Sequence, residues 1–217
     1  MSTVLYYFHD PMCGWCYAFQ PVLRQLKRSL SREIQLVSIL GGLAPDDDNV
    51  MDSEMQEYIK GHWRRIQQMV PGTELNFDFW DKCEPRRSTY PACRAVIAAS
   101  RQGDLQAEEM VEAIQRAYYR EARNPSDRQT HIELANELGL NGNQFETDLL
   151  APQTQAELEV QVNFTQSVGV RGFPALVLVK EQVGQAIEID YNSVETVSAS
   201  ISEAKRALQA HDNGQQE

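Results

Sequence analysis

Cys13 and Cys16 stand three positions apart near the start of the chain, with Gly14-Trp15 between them. An apolar run over residues 4–8 precedes them, and a segment with helical spacing follows. Cysteines at this spacing on the first turn of a helix are placed for thiol–disulfide exchange. The first backbone N–H groups of a helix have no intrahelical acceptor, and the macrodipole there favours negative charge. Thiols in such places ionise with pKa values of about 3.5–7.5, against about 8.5 for free cysteine. The thiolate is the nucleophile. A second cysteine comes round beneath the first after nearly one turn and can attack a mixed disulfide formed there. On this reading Cys13 attacks and Cys16 resolves. Two other readings stay open, half of a zinc site and a pair of inert buried cysteines. Zinc usually takes a second close pair of ligands. Cys83 and Cys93 are too widely spaced for that pattern, and no two of the four histidines are close in sequence.

Periodicity supplies the elements that must hold the pair. Residues 3–8 read as a strand. A helix is expected over 12–29, because Phe19, Val22, Leu23, Leu26 and Leu30 form one apolar stripe. Residues 34–40 read as a second strand, ended by Gly41-Gly42, so the first forty residues make a βαβ unit with parallel strands. Helical spacing then persists: over 53–69, from Pro91 onward, around 107–117, 134–138 and 145–149, and from Pro152 to Gly169. Residues 71–80 read as an aromatic-rich connection. After Gly169 come a strand at 175–179, a turn at 182–185, a hairpin partner at 186–190, and an amphipathic helix reaching Leu208. The expected class is α/β. A C-x-x-C at a strand-to-helix junction marks a thioredoxin-like fold, with residues 1–50 and 152–210 forming that domain. An all-helical insertion occupies 51–151 and a polar tail 211–217.

Composition narrows the functions. Hydrophobic residues make up 42% of the 217, enough for a real core, and the formal net charge is −11 from 31 acidic and 20 basic side chains. That balance argues against nucleic acid, which needs a basic face, and against an anionic membrane surface. No apolar stretch approaches the length of a membrane span, and the N-terminal residues lack the basic region of a signal peptide. The expected compartment is the cytoplasm, where a C-x-x-C is more often catalytic or metal-binding than a structural disulfide.

Gly169-Val170-Arg171-Gly172-Phe173-Pro174 forms a second landmark, just ahead of the third strand. Proline cannot donate to a sheet ladder, so its place at a strand start is positional. In the company of the cysteine pair, a cis Phe173-Pro174 bond is expected, with Phe173 offering backbone groups to an extended substrate.

The chain as a whole resembles the DsbA-like branch of the thioredoxin superfamily, and within it the cytoplasmic FrnE-like, protein-disulfide-isomerase group. Four segments carry the resemblance: residues 9–16, Gly41-Gly42-Leu43, residues 85–94, and residues 169–174. It implies a thioredoxin core with a helical insertion and thiol–disulfide exchange on protein or glutathione disulfides. It gives Cys13 and Cys16 the catalytic roles, with Trp15, Phe173 and Pro174 at the substrate. No metal or resident cofactor is implied, although glutathione fits as a co-substrate. Gly14-Trp15 stands where periplasmic DsbA has Pro-His, so that protein's oxidant strength does not carry over. A sister branch of glutathione-dependent isomerases and transferases has serine at the position of Cys13. Such small-molecule chemistry is the alternative activity, and a zinc-binding or chaperone-like interaction protein is the alternative from another class.

Several further residues are candidates. Cys93 near a helix start, with Arg94 beside it and Arg86 and Arg87 upstream, reads either as a third redox thiol of lowered pKa or as a small core residue. Asp10 reads as a charge that modulates Cys13 or as a turn residue before Pro11. Trp15 reads as a peptide-binding rim or as a cover on the helix end. The pairs Arg64-Arg65 and Arg86-Arg87 suit a carboxylate such as that of glutathione, or a solvated surface. His62, His131 and His211 fall on positions expected to be solvated.

Overall fold

Alternating Val, Leu, Tyr and Phe in the first strand bury both faces of the sheet, and the sheet is built around that strand. The computed structural model describes residues 3–214. Strands β1 (Thr3–His9), β2 (Ile34–Leu40), β3 (Ala175–Lys180) and β4 (Val183–Ile187) form one sheet in the order β2-β1-β3-β4. β1 and β2 are parallel, in register from Thr3↔Ile34 to His9↔Leu40. β3 runs antiparallel to β1, with Phe8 opposite Ala175. The helix α1 (Gly14–Ser29) makes the right-length crossover between β1 and β2, and α9 (Val194–Gly214) follows β4. Phe19, Val22, Leu23 and Leu26 of α1 meet Leu5 and Tyr7 of β1 and Val197, Ile201 and Leu208 of α9 in one buried cluster.

Between β2 and β3 the chain is helical, as expected: α2 (Ser53–Met69), α3 (Phe79–Lys82), α4 (Tyr90–Ser100), α5 (Asp104–Tyr119), α6 (Arg128–Glu137), α7 (Gly142–Leu150) and α8 (Pro152–Ser167). α8 closes the second face of the sheet, where Phe164 lies 5.2 Å from Tyr6 and 5.8 Å from Phe8, centroid to centroid. A second apolar cluster fills the helical block. Trp63 is at its centre, only 2% exposed, with Phe77, Phe79, Trp80, Tyr118 and Tyr119 all between 5.2 and 6.2 Å away. The aromatic connection is therefore core, and its last residues close into the short α3.

Several boundaries differ from expectation. α1 starts at Gly14 because Cys13 is its cap, with extended backbone. The hairpin turns at Glu181-Gln182, both at positive φ, so β4 begins at Val183. Neither residue is the Gly, Asn or Asp that flags such a turn in a sequence. The polar tail expected from His211 is helical as far as Gly214, and residues 215–217 lie outside the described residues.

Gly41 and Gly42 form the corner that leads from the sheet into the helices. A Cβ on Gly41 would lie 2.0 Å from the Phe173 ring, and Gly42 takes φ +64°. Gly41→Ala should therefore lower unfolding stability by about 1–3 kcal/mol, as overpacking does. Gly61, exposed within α2, has nothing within 4 Å of its would-be Cβ. Gly61→Ala should instead raise stability by about 0.5–1 kcal/mol. Urea unfolding of the two variants checks the opposite signs.

Candidate active site

Cys13 occupies the N-cap of α1, and its sulfur accepts the backbone N–H of Cys16 at 3.3 Å. The tight turn ahead of it is closed by Cys13 N–H donating to the Asp10 carbonyl at 3.0 Å. The Cys13 thiol in turn donates to the Phe173 carbonyl at 3.4 Å, across 160 residues of sequence. The Phe173–Pro174 bond is cis. The two landmarks thus meet: the loop ahead of β3 is brought against the helix start because β3 pairs with β1. All four cysteines are free thiols. Cys13 is 5% exposed and Cys16 fully buried. Burial pushes the Cys16 thiol well above its ordinary pKa, with the adjacent Cys13 adding to the shift. The Cys13 sulfur faces a backbone donor, whereas burial favours the neutral thiol at Cys16.

Helical-block side chains fix this turn from the far side. The Tyr119 hydroxyl donates to the Met12 carbonyl at 2.6 Å, and a Cβ on Gly14 would lie 2.9 Å from Ile66. Between the blocks opens a cleft of ≈ 210 Å³ with Cys13 on its wall. Trp15, Trp63, Ile66, Tyr119 and Phe173 line its apolar part, and His62, Arg86 and Arg87 its polar part. Trp15 is half-buried and packs on Tyr191, 5.2 Å between rings, so it covers the helix end and borders the cleft at once.

Asp10 is fully buried. Its carboxylate accepts from Met12 N at 2.8 Å, Leu43 N at 2.7 Å, the Thr89 hydroxyl at 2.7 Å and the Cys93 thiol at 3.6 Å. Burial raises its pKa in spite of these donors. It closes the turn before the cysteines, through its own carbonyl and through Met12 N, and reaches beyond it to Leu43, Thr89 and Cys93. Cys93 departs from the expectation of a lowered pKa: burial and the Asp10 carboxylate push it well above the ordinary value. Arg94 turns instead to Asp46, at 2.6 and 2.8 Å. Arg86 pairs with Asp127. Cys83 lies apart, its thiol donating to the Ala122 carbonyl at 3.1 Å. Among the described residues, no three His, Cys, Asp or Glu side chains group as metal ligands would.

His62 is half-buried on the cleft wall, its ring 4.6 Å from Tyr58. His131 corrects the expectation of a solvated position. It is fully buried, and its Nε2 donates to the Pro125 carbonyl at 2.8 Å. The side chain of His211 lies outside the described residues. Sequence reasoning missed Tyr7, whose buried hydroxyl lies beside Cys16 without a hydrogen bond of normal geometry. Strand alternation with Leu5, which turns both toward α1, was the available signal. It also missed Tyr119 and Thr89, for which spacing carries no sign.

Two buried histidines make stability pH-dependent. Burial lowers His131 from 6.5 to about 4 and His9 from 6.5 to about 3. A folded pKa below the unfolded one means that the contribution is complete above the unfolded value and lost as pH falls toward the folded one. Asp10, raised on folding, works in the opposite direction over its own range. Urea unfolding should show stability falling from pH 6.5 to 4. His131→Gln, which keeps a donor for Pro125, should flatten that fall by up to about 1.4 kcal/mol per pH unit. An unchanged slope would mean that His131 titrates in the fold as it does in the unfolded chain.

Comparison with known proteins places this geometry. The ClpXP adapter protein SpxH of Halalkalibacterium halodurans is 23% identical over 185 residues, which are 83% of this chain and 60% of that protein. SpxH of Bacillus subtilis is 23% identical over 180 residues, 82% of this chain and 58% of that protein. The chain thus spans about 60% of the length of these curated relatives. Among solved structures, a Nitrosomonas europaea protein provisionally called a protein disulfide isomerase superposes with a TM-score of 0.82 at 25% identity, over 97% of this chain and all of that one. The cytosolic disulfide reductase DsbM of Pseudomonas aeruginosa gives 0.73 at 25% identity, over 95% and 99% of the two chains. A second DsbM structure, with GSH, matches at 24% identity, TM-score 0.73, over the same shares, and speaks for the fold. The sheet carries its cysteine pair at the α1 N-terminus and its helices between β2 and β3, and the DSBA-like thioredoxin domain profile matches residues 4–201. This chain therefore belongs to the DSBA-like thioredoxin domain family.

Proposed function

We propose that this protein is a thiol–disulfide oxidoreductase, a reductase or isomerase of protein or glutathione disulfides working in the cytoplasm. The observation that carries the reading is the Cys13 sulfur, which caps α1, receives the Cys16 N–H and touches the Phe173 carbonyl beside the cis bond. Family membership supports it, as do the names of two structural neighbours, a cytosolic disulfide reductase and a provisional protein disulfide isomerase. The structure of DsbM with GSH supports glutathione as a partner. For the compartment, the cytosolic neighbour is the support; among the described residues no helix is long and apolar enough to cross a membrane.

In the proposed cycle Cys13 gives up its proton to water, and its thiolate attacks one sulfur of a substrate disulfide. The S–S bond breaks, a mixed disulfide forms at Cys13, and the departing thiolate takes a proton from water. Cys16 then loses its proton and attacks the Cys13 sulfur. The second substrate thiol leaves, and two electrons have passed from the cysteine pair to the substrate. Trp15 borders the bound segment, and the Phe173 backbone ahead of Pro174 presents an edge to it, as strand addition requires. A thiol reductant restores the pair.

A second reading, an interaction protein, is favoured by the SpxH relatives, which are named as adapters. It differs in needing no chemistry at Cys13.

Limited alkylation at mildly acid pH should modify Cys13 ahead of the buried Cys16; the reverse order would sink the assignment. Insulin reduction should fall to background in Cys13→Ser. Cys16→Ser should accumulate mixed disulfides, because the resolving thiol is gone. Normal turnover by Cys13→Ser would remove Cys13 as the nucleophile, and no insulin reduction by the unsubstituted protein would remove the exchange reading and leave the adapter reading standing.

A further inference from the structure

Among the described residues no carboxylate lines the cleft beside Cys13, and Arg86, Arg87 and His62 are the basic side chains on its wall. The chain around it has a formal charge of −11 and 31 acidic side chains. The site is therefore opposite in sign to the protein that carries it. Its two arginines differ. Arg86 is neutralised by Asp127. Arg87 is half-buried and, among the described residues, has neither an ion pair nor a hydrogen bond. Its charge is felt within the wall, where it opposes the burial that raises the Tyr118 phenol. Apart from Ser88 and Thr89, much of the remaining wall is apolar or aromatic, with Ile59, Trp63, Ile66 and Tyr119.

Building on the exchange reading, we propose that this cleft selects small disulfides that carry a carboxylate, with Arg87 as the residue that binds it. A guanidinium offers a planar fork that matches a carboxylate in two hydrogen bonds. Long-range steering cannot produce such a preference here, since the net charge of the protein repels anions. A preference for anions has to come from a cation close to the reacting sulfur. The chemistry is the exchange already written: the Cys13 sulfur bonds to one sulfur of the disulfide, one thiolate departs and is protonated by water, and Cys16 displaces the other. The cysteine pair is oxidised by two electrons and the disulfide is reduced to two thiols.

The test uses the full chain, reduced with dithiothreitol and freed of it, in single turnover against three probes. These are dithiodipropionate (anionic), hydroxyethyl disulfide (neutral) and cystamine (cationic), with rates read by acid quench and mass spectrometry. The anionic-to-neutral rate ratio should exceed that of a small reference thiol, mercaptoethanol. In Arg87→Gln the ratio should fall about fivefold, the size of a half-exposed ion pair. Arg87→Lys should keep part of it. Arg28→Gln, exposed near the far end of α1, makes the same change in net charge and should leave the ratio unchanged. Raising salt to about 0.5 M should lower the wild-type ratio by screening. A wild-type ratio no greater than that of mercaptoethanol, or one that survives Arg87→Gln, overturns the inference while the exchange reading stands. Failure of all three probes to react overturns the inference, and failure to reduce insulin as well overturns the exchange reading with it.

Discussion

A carboxylate with no exposed surface ties the structure together at Asp10. Moving a charge out of water costs several kcal/mol unless donors replace the lost hydration. Asp10 has four: the N–H of Met12 in the turn before the cysteines, the N–H of Leu43 after the Gly-Gly corner, and the Thr89 and Cys93 side chains at the start of α4. Those donors come from β1's exit, β2's exit and the helical block. The burial of one charge therefore couples the position of the cysteine turn to the sheet and to the insertion at once. Thr89 extends the tie, since it also meets the backbone of Ala44 at 3.0 and 3.2 Å.

Close contact does the same work on the other side of the turn. Glycine at 14 lets Ile66 and Tyr119 approach the first turn of α1, and glycine at 41 admits the Phe173 ring. The Phe173 carbonyl then reaches the Cys13 thiol. Sheet pairing and side-chain packing thus gather segments from far along the chain around one turn, and one of them, at Phe173, comes within hydrogen-bond reach of the Cys13 sulfur. The difference between the two cysteines follows from depth. Cys13 opens on the cleft, while Cys16, one turn further in, is enclosed by Tyr7 and its neighbours.

The helical block has a second effect, on charge. Most of its carboxylates lie on exposed surfaces, many in ion pairs such as Arg123 with Glu133 and Glu137, at 3.0 and 2.8 Å. Exposed pairs of this kind contribute little stability. They do leave the acids outside, so that the interior wall facing Cys13 carries aromatic rings and cations.

Much of this was legible in the sequence. The C-x-x-C spacing, the apolar stripe of α1 and the proline before β3 are local patterns, and local patterns survive being read in one dimension. They suffice for the α/β class, the helical interruption and the cis bond at Phe173-Pro174. The rest depended on neighbours that the chain supplies from far away. His131 looks solvated among polar residues, but the Pro125 carbonyl and the surrounding core bury it. The Arg87 and Arg86 side chains look alike in sequence, and only the fold gives one of them Asp127. Cys93 sits by an arginine in sequence, but in space burial and, after it, the Asp10 carboxylate reverse the sign of its shift. Sequence periodicity fixes which face of an element is apolar. The charge, depth and partner of a side chain depend on what packs against that face, and only the tertiary structure decides that.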